Sequence, residues 1–161
     1  FIERKQQMNW TAFLYTALLC FISIIIEGVS ATKDGKQWFE SLKQPKASFP
    51  FSFWYVVGGL YYLICGVIAY RQFANSDMIF STPIIILAVI MFFNGATNFI
   101  LFRYKSLKTF YGILYPFAIL FAVLVYLLAQ QDILSASLAL IYLVWLVYDL
   151  YYFFNLWKLN S

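Results

Sequence analysis

The chain has 161 residues, of which 63% are hydrophobic and only 11% are charged. Ordinary soluble domains are roughly 25% charged, so this composition excludes a soluble globular domain. The net charge of +4 comes from the loops, where it indicates the orientation of the chain in a membrane, so no nucleic-acid partner is expected. The chain has no histidine, which excludes a histidine-ligated zinc or haem iron and any catalysis that depends on histidine.

Five long apolar stretches predict transmembrane helices, at Trp10–Val29, Ser52–Tyr70, Ile79–Phe102, Phe110–Ala129 and Ile133–Trp157. Each is near or above the length of about 20 residues that a helix needs to cross a hydrocarbon core. Lipid offers no partner for backbone groups, so the spans must be helices. We therefore predict an all-α integral membrane protein with a lipid bilayer as its partner. It is one five-helix bundle over residues 1–161, with a capping loop at 31–50.

Lys and Arg are divided unequally between the two sides that five spans define. The side of the N-terminus holds Arg4, Lys5 and Arg71, whereas the other side holds Lys33, Lys36, Lys43, Lys46, Arg103, Lys105, Lys108 and Lys158. The positive-inside rule places the larger set in the cytoplasm. We expect an outside N-terminus and a cytoplasmic C-terminus in a plasma or inner membrane.

The first span carries a polar stripe. Thr16, Cys20, Ser23 and Glu27 are spaced four, three and four residues apart, which stacks them on one helical face. Glu27 lies about one turn from the following loop. It either reaches the interface or pairs with a loop lysine, or it serves as an acid or base in function.

The second and third spans carry small and amide residues on single faces. Gly58, Tyr62 and Gly66 share a face, where a neighbouring backbone or a ligand can come close. Asn94 and Asn98 are four residues apart near the middle of the third span. Their amides either form bonds between helices that stabilise the bundle, or face a ligand in a cavity.

The fifth span has the most informative polar face. Tyr142, Trp145, Asp149 and Tyr152 are spaced three, four and three residues apart, so they share it. Asp149 precedes Lys158 by about 13 Å along the helix, which places it well below the surface. A carboxylate at such depth costs about 2.5–3.5 kcal/mol and marks a functional site by default. The alternative is a protonated acid, or one bonded to a tyrosine hydroxyl on another span.

Aromatic residues make up 22% of the chain, with 18 Phe, 13 Tyr and 5 Trp. This number exceeds what two interfacial belts would use, so many rings must lie at bilayer depth. They either pack helix against helix or line a cavity for a flat apolar ligand, since such pockets are apolar with a few placed polar groups.

The loop from Trp38 to Pro50 reads Trp-Phe-Glu-Ser-Leu-Lys-Gln-Pro-Lys-Ala-Ser-Phe-Pro. This segment resembles the signature of the translocator protein/tryptophan-rich sensory protein (TspO/MBR) family. Phe93-Asn94 in the third span, the Tyr142-x-x-Trp145 step in the fifth and the closing Trp157-Lys158-Leu159-Asn160 are similar to family features in order and spacing.

The resemblance implies a five-helix bundle with a pocket capped by the first loop, and members that are often dimeric, so a homodimer is among the expected states. Family members bind porphyrins and other tetrapyrroles, sterols and synthetic aromatic ligands. Some have been proposed to transport these ligands and some to degrade porphyrin. Carried over to this chain, the cap is Trp38, Phe39, Leu42 and Pro45, and the pocket wall includes Asn94 and Trp145.

Three positions depart from the family pattern, in addition to the double proline at the entry of the second helix, which is reduced to Phe49-Pro50. Phe39 stands where a tyrosine is usual, and Asp149 stands where a small uncharged residue is usual. The family's tryptophan early in the second span falls on Gly58 in a gapless register, with Trp54 one turn earlier as the alternative. An acidic pocket would suit a cationic or hydroxyl-bearing ligand better than a dianionic porphyrin.

We therefore predict a membrane receptor or carrier for a flat hydrophobic ligand, a porphyrin or sterol-like molecule. The alternatives are a small proton-coupled transporter, or an enzyme that acts on a membrane substrate through Asp149 or Glu27. Catalysis is less expected, because no nucleophile–base pair is evident and Gly58 replaces the family's tryptophan. No cofactor and no metal are predicted. The predicted ligand-binding residues are Trp38, Phe39, Leu42, Pro45, Trp54, Gly58, Tyr62, Asn94, Asn98, Tyr142, Trp145, Asp149 and Tyr152.

Overall fold

The computed structural model describes residues 8–30, 32–75 and 80–161, and its regular structure within those ranges is helical. The helices are α1 (Trp10–Ser30), α2 (Lys33–Ser41), α3 (Phe51–Asn75), α4 (Thr82–Arg103), α5 (Leu107–Ala129) and α6 (Ile133–Leu159). All except α2 are long and apolar enough to cross a membrane. The predicted all-α bundle with five spans is confirmed.

The predicted bounds were less accurate than the number of spans. The second span continues past Tyr70 to Asn75, because a helix can carry a polar end at the interface. The fourth begins at Leu107 rather than Phe110, after Ser106 has accepted a hydrogen bond from Thr109 N as its N-cap. The predicted start of the third span at Ile79 lies outside the described residues.

The capping loop contains a helix that its sequence did not reveal. Helix α2 occupies nine residues of this segment. Its first turn is closed by Thr32, whose Oγ1 accepts a hydrogen bond from Gly35 N at 3.0 Å. A Cβ on Gly35 would lie 2.7 Å from the carbonyl oxygen of Phe102, so glycine permits α2 to lie against α4.

The five long helices form a closed ring in the order α1, α4, α5, α6, α3 and back to α1. Large apolar side chains cover the outside of this ring, as expected of a surface that faces lipid. Examples from every long helix are Leu14, Phe21, Leu63, Phe92, Ile119 and Val144.

Helices α1 and α4 approach each other closely at a glycine. A Cβ on Gly95 would lie 2.5 Å from Cγ2 of Ile26, which leaves no room for a side chain. The hydroxyl of Ser30 donates to the carbonyl oxygen of Gly95 at 3.1 Å across the same contact. Small residues at such crossings are typical of helix packing in membranes.

One end of the bundle is solidly packed, and we name it the closed end. Its core is Cys65, Ile68, Ala69, Leu87, Leu124, Leu128 and Ala136, all at 3% exposure or less. The guanidinium of Arg71 donates two hydrogen bonds of 2.8 Å to the carboxylate of Asp132, which also caps α6. This guanidinium holds the pKa of the Asp132 carboxyl well below its usual range.

Candidate functional site: a cavity beneath α2

The other end of the bundle, which we name the lid end, contains a partly open cavity of about 370 Å³. Ligand pockets are typically about 300–1,000 Å³, mostly apolar, with a few placed polar groups. Side chains from all six helices line it, and aromatic rings make up a large share of the wall. The cavity lies between the core of the closed end and a second apolar cluster around Phe110, Phe153 and Leu156.

Eight of the predicted ligand-binding residues line this cavity, although they come from four different helices. They are Phe39, Trp54, Gly58, Asn94, Asn98, Tyr142, Trp145 and Asp149. Trp54 and Gly58 both belong to the wall of α3, one turn apart. The structure brings these residues together; whether they bind a ligand stays a prediction.

The other five predicted residues lie outside the cavity wall. They are Trp38, Leu42, Pro45, Tyr62 and Tyr152. Trp38 and Leu42 pack against the apolar cluster at the lid end, and Pro45 is buried. The two tyrosines each donate a hydrogen bond that supports a neighbouring part of the site, as described below.

Phe39 forms the roof of the cavity from α2. Its ring centroid lies 5.7 Å from that of Phe51, 6.1 Å from that of Phe102 and 6.4 Å from that of Phe153. Rings at these separations are in the range of favourable aromatic pairs. The roof therefore contacts α3, α4 and α6 at once.

The segment after α2 is attached to α6 by side-chain hydrogen bonds. Asn160 accepts from Lys43 N and donates to Lys43 O, both at 3.0 Å. The hydroxyl of Tyr152 donates to Oε1 of Gln44 at 2.6 Å. We name α2 together with residues 42–48 the lid, because it covers the cavity and is tied to α6.

Glu27 receives donors from two other helices. Its Oε2 accepts from the hydroxyl of Tyr62 at 2.5 Å and from Nδ2 of Asn94 at 3.1 Å, and its Oε1 accepts from Nδ2 of Asn98 at 3.2 Å. Glu27 therefore faces these partners rather than the interface or a loop lysine, which was the simpler expectation. The asparagines join helices, as one of the two interpretations expected, and they also line the cavity; whether they contact a ligand stays a prediction.

Four buried polar atoms of the cavity wall have no hydrogen-bond partner within the described part of the chain. They are Nε1 of Trp54, Oη of Tyr61, Nε1 of Trp145 and Oδ1 of Asp149. Buried polar groups are normally satisfied, so a cluster of unsatisfied ones requires an explanation. A polar group on a bound ligand, or bound water, would provide the missing partners.

The sequence reasoning missed several wall residues. Tyr61 precedes the predicted Tyr62, and no sequence signal separates the two without the helix orientation. Lys33 and Lys36 line the cavity from α2. Their spacing of three would have placed them on one face if the segment had been recognised as a helix.

Metal chemistry finds no support in this wall. Among residues 8–30, 32–75 and 80–161, no group of three or more Cys, Asp or Glu side chains could hold a metal ion. The two carboxylates of the cavity come from α1 and α6, and Glu27 is already occupied by its three donors.

Comparison with known families agrees with the architecture. The model of the TspO/MBR family matches residues 16–158, which is nearly the whole chain. No curated protein matches the sequence. With this match and its five apolar helices, the chain belongs to the TspO/MBR family, and it is a multi-pass integral membrane protein of a ligand-binding or transport class.

Proposed function

We propose that the protein is a membrane receptor or carrier that holds a flat hydrophobic ligand, of tetrapyrrole or sterol-like shape, in the cavity beneath the lid. The observation that carries the proposal is the cavity wall itself, which is rich in aromatic residues and holds four polar atoms without a hydrogen-bond partner among the described residues. A cavity that only resulted from imperfect packing would be expected to have an apolar wall.

The rings of the wall are arranged in pairs across helices. The centroids of Trp54 and Trp145 are 5.8 Å apart, and those of Tyr61 and Tyr142 are 5.0 Å apart. Aromatic faces bind planar apolar groups by stacking and by edge contacts. Lys33 and Lys36 supply positive charge at the lid, where acidic side groups of a ring ligand could be bound.

Ligand quenching of tryptophan fluorescence tests this proposal on the full chain in a neutral detergent. We expect saturable quenching by protoporphyrin IX, and saturable energy transfer to the fluorescent sterol dehydroergosterol if sterols bind instead. Trp145→Phe should weaken binding about tenfold, because it removes both ring area and an N–H donor from the wall. Trp10→Phe is the matched control, since Trp10 is 64% exposed on the outer surface. Binding of neither probe would contradict the proposal.

A proton-coupled transporter is the second candidate, and Asp149 is the observation that favours it. This carboxylate is buried at bilayer depth beside the cavity, and intramembrane acids often mark proton pathways. Uptake of a bound probe into proteoliposomes, measured with and without a proton gradient, separates the two functions. A receptor would show the same uptake in both conditions.

We also propose that the lid faces the cytoplasm, on the basis of the Lys and Arg distribution. Single cysteines at exposed positions on opposite sides, Ser41→Cys and Gln131→Cys, can be labelled in intact cells with a membrane-impermeant maleimide. In a background lacking Cys20 and Cys65, only Gln131→Cys should react from outside. Labelling of Ser41→Cys instead would reverse the orientation.

A further inference from the structure

We propose that the ligand carries an ammonium or protonated amine group, and that this cation lies against Asp149 inside the cavity. The inference rests on the proposed function and narrows its ligand class to a hydrophobic ring system with a positive charge. It is argued from the charges of the wall, from the rings beside Asp149 and from the depth of this acid.

The wall holds two lysines, Lys33 and Lys36, and two carboxylates, of which Asp149 has no hydrogen bond or salt bridge among the described residues. Glu27 is held by three donors, and Lys36 lies 3.9 Å from Glu40 and over the ring of Phe51. Asp149 is 8% exposed and lines the cavity, and its Oδ1 has no hydrogen-bond partner among the described residues.

No lysine or arginine within the described ranges forms a salt bridge with Asp149. Arg71 is bound to Asp132 at the closed end. Lys158 belongs to the same helix as Asp149, but it lies about 13 Å away along the axis. A buried carboxylate is normally paired, so a positive group from outside the chain would complete this site.

Aromatic rings surround the space next to this carboxylate. Trp54, Trp145, Tyr61 and Tyr142 all line the same cavity as Asp149. Ring faces attract cations, and they recognise quaternary ammonium groups when several of them converge. A carboxylate combined with a set of rings supplies both charge neutralisation and apolar contact. A neutral hydroxyl would satisfy Oδ1 but would gain little from the ring faces.

A matched pair of fluorescent probes separates charge from shape. (1-Pyrenylmethyl)trimethylammonium is a permanent cation, and 1-neopentylpyrene is its neutral isostere with the same ring and the same branched end. Both are titrated against the full chain in a neutral detergent. We expect the cation to bind at least tenfold more tightly than the isostere. In Asp149→Asn, this preference should fall to twofold or less.

Asp34→Asn is the control variant, because Asp34 is an exposed carboxylate in the first turn of α2 and does not line the cavity. It should retain the tenfold preference, which would show that general attraction of cations to the protein is not the cause. The comparison of the two probes on the unchanged chain remains decisive even if Asp149→Asn does not fold.

The outcomes distinguish this inference from the proposed function. Equal binding of both probes overturns the ammonium site and leaves the receptor for flat ligands in place. A preference that survives in Asp149→Asn also overturns it. If neither pyrene probe, protoporphyrin IX nor the sterol binds, both proposals are wrong.

Discussion

At the closed end, Leu87, Leu124 and Leu128 have no exposed surface, and Arg71 and Asp132 satisfy each other with two hydrogen bonds. At the lid end, the same helices leave a cavity of about 370 Å³, where Trp145 and Asp149 have polar atoms without hydrogen-bond partners in the described part of the chain. Burial alone does not distinguish the two ends, because Asp132 and Asp149 are both largely buried. The two ends differ in whether the described residues supply a hydrogen-bond partner for each buried polar atom.

The largest expected effect comes from the same leucine-to-alanine substitution at two positions of α5, one at each end of the bundle. Leu124→Ala opens a void in the closed end, where packing contacts are lost on every side, and should cost about 2–4 kcal/mol of unfolding free energy. Leu114 already borders the cavity, so Leu114→Ala should cost about half as much. Reversible unfolding in mixed micelles measures both. Equal losses would show that the cavity is collapsed in solution.

The ion pair at the closed end should make stability depend on pH. Asp132→Asn removes the charge that Arg71 binds, and should cost about 1.5–3 kcal/mol at pH 7. Because the folded pKa of Asp132 is depressed, its contribution is complete above the unfolded value of about 3.9 and is lost as pH falls below it.

Unfolding midpoints of the unchanged chain and Asp132→Asn should therefore converge as pH falls from 5 to 2. Asp34→Asn, at an exposed acid in the first turn of α2, is the control and should shift the midpoint little at any of these pH values. A constant difference between the chain and Asp132→Asn would show that the loss comes from packing rather than from charge.

Filling the cavity tests the lid end directly. A Cβ on Gly58 meets nothing within 4 Å, and Gly58 lines the cavity, so Gly58→Leu should occupy ligand space. We expect porphyrin or sterol affinity to fall about tenfold, which corresponds to about 1.4 kcal/mol, with the unfolding midpoint unchanged or raised. Gly59→Leu is the matched control, because Gly59 has equal room but is exposed on the outside of α3. Similar affinity in both variants would place the ligand elsewhere.

The smallest expected effect concerns the attachment of the lid. Asn160→Ala removes both hydrogen bonds to Lys43. It should lower the free energy of local opening of the lid by about 1 kcal/mol and leave the global unfolding free energy nearly unchanged. Hydrogen exchange of residues 32–48 should become faster. Asn155→Ala is the control, because the side-chain amide of Asn155 donates a hydrogen bond to Tyr151 of its own helix and to no other described residue. Unchanged exchange in Asn160→Ala would mean that the roof contacts of Phe39 suffice to hold the lid.

The number of spans could be predicted from the sequence, because an apolar stretch of about 20 residues is long enough to cross the membrane as a helix. The face of α6 was also predictable, since Tyr142, Trp145 and Asp149 lie at helical spacing and all line the cavity. The rotation of α3 was not predictable. Tyr62 was expected at the ligand, but it supports Glu27, and Tyr61 takes its place in the wall.

The partners of Glu27 and the helix in the lid depend on contacts between distant segments. Asn94 and Asn98 reach Glu27 because Gly95 allows α1 and α4 to come close, and Tyr62 reaches it from α3. Helix α2 has only nine residues, and isolated helices of that length are marginal, so its stability depends on packing against α4. The helix propensity of a short segment predicts neither the partners of Glu27 nor the packing that stabilises α2.

Tyr152 of α6 and Asn160, which follows α6, make the hydrogen bonds that hold residues 43 and 44. The ribosome makes both after the lid and the other four spans. During synthesis, α1 and α3–α5 can enter the bilayer before these hydrogen bonds can form. The same late helix brings Tyr142, Trp145 and Asp149 to the wall. A nascent chain without α6 and Asn160 therefore lacks both the hydrogen bonds that hold the lid and these three residues of the wall, so the cavity can take its shape only after α6 has been made.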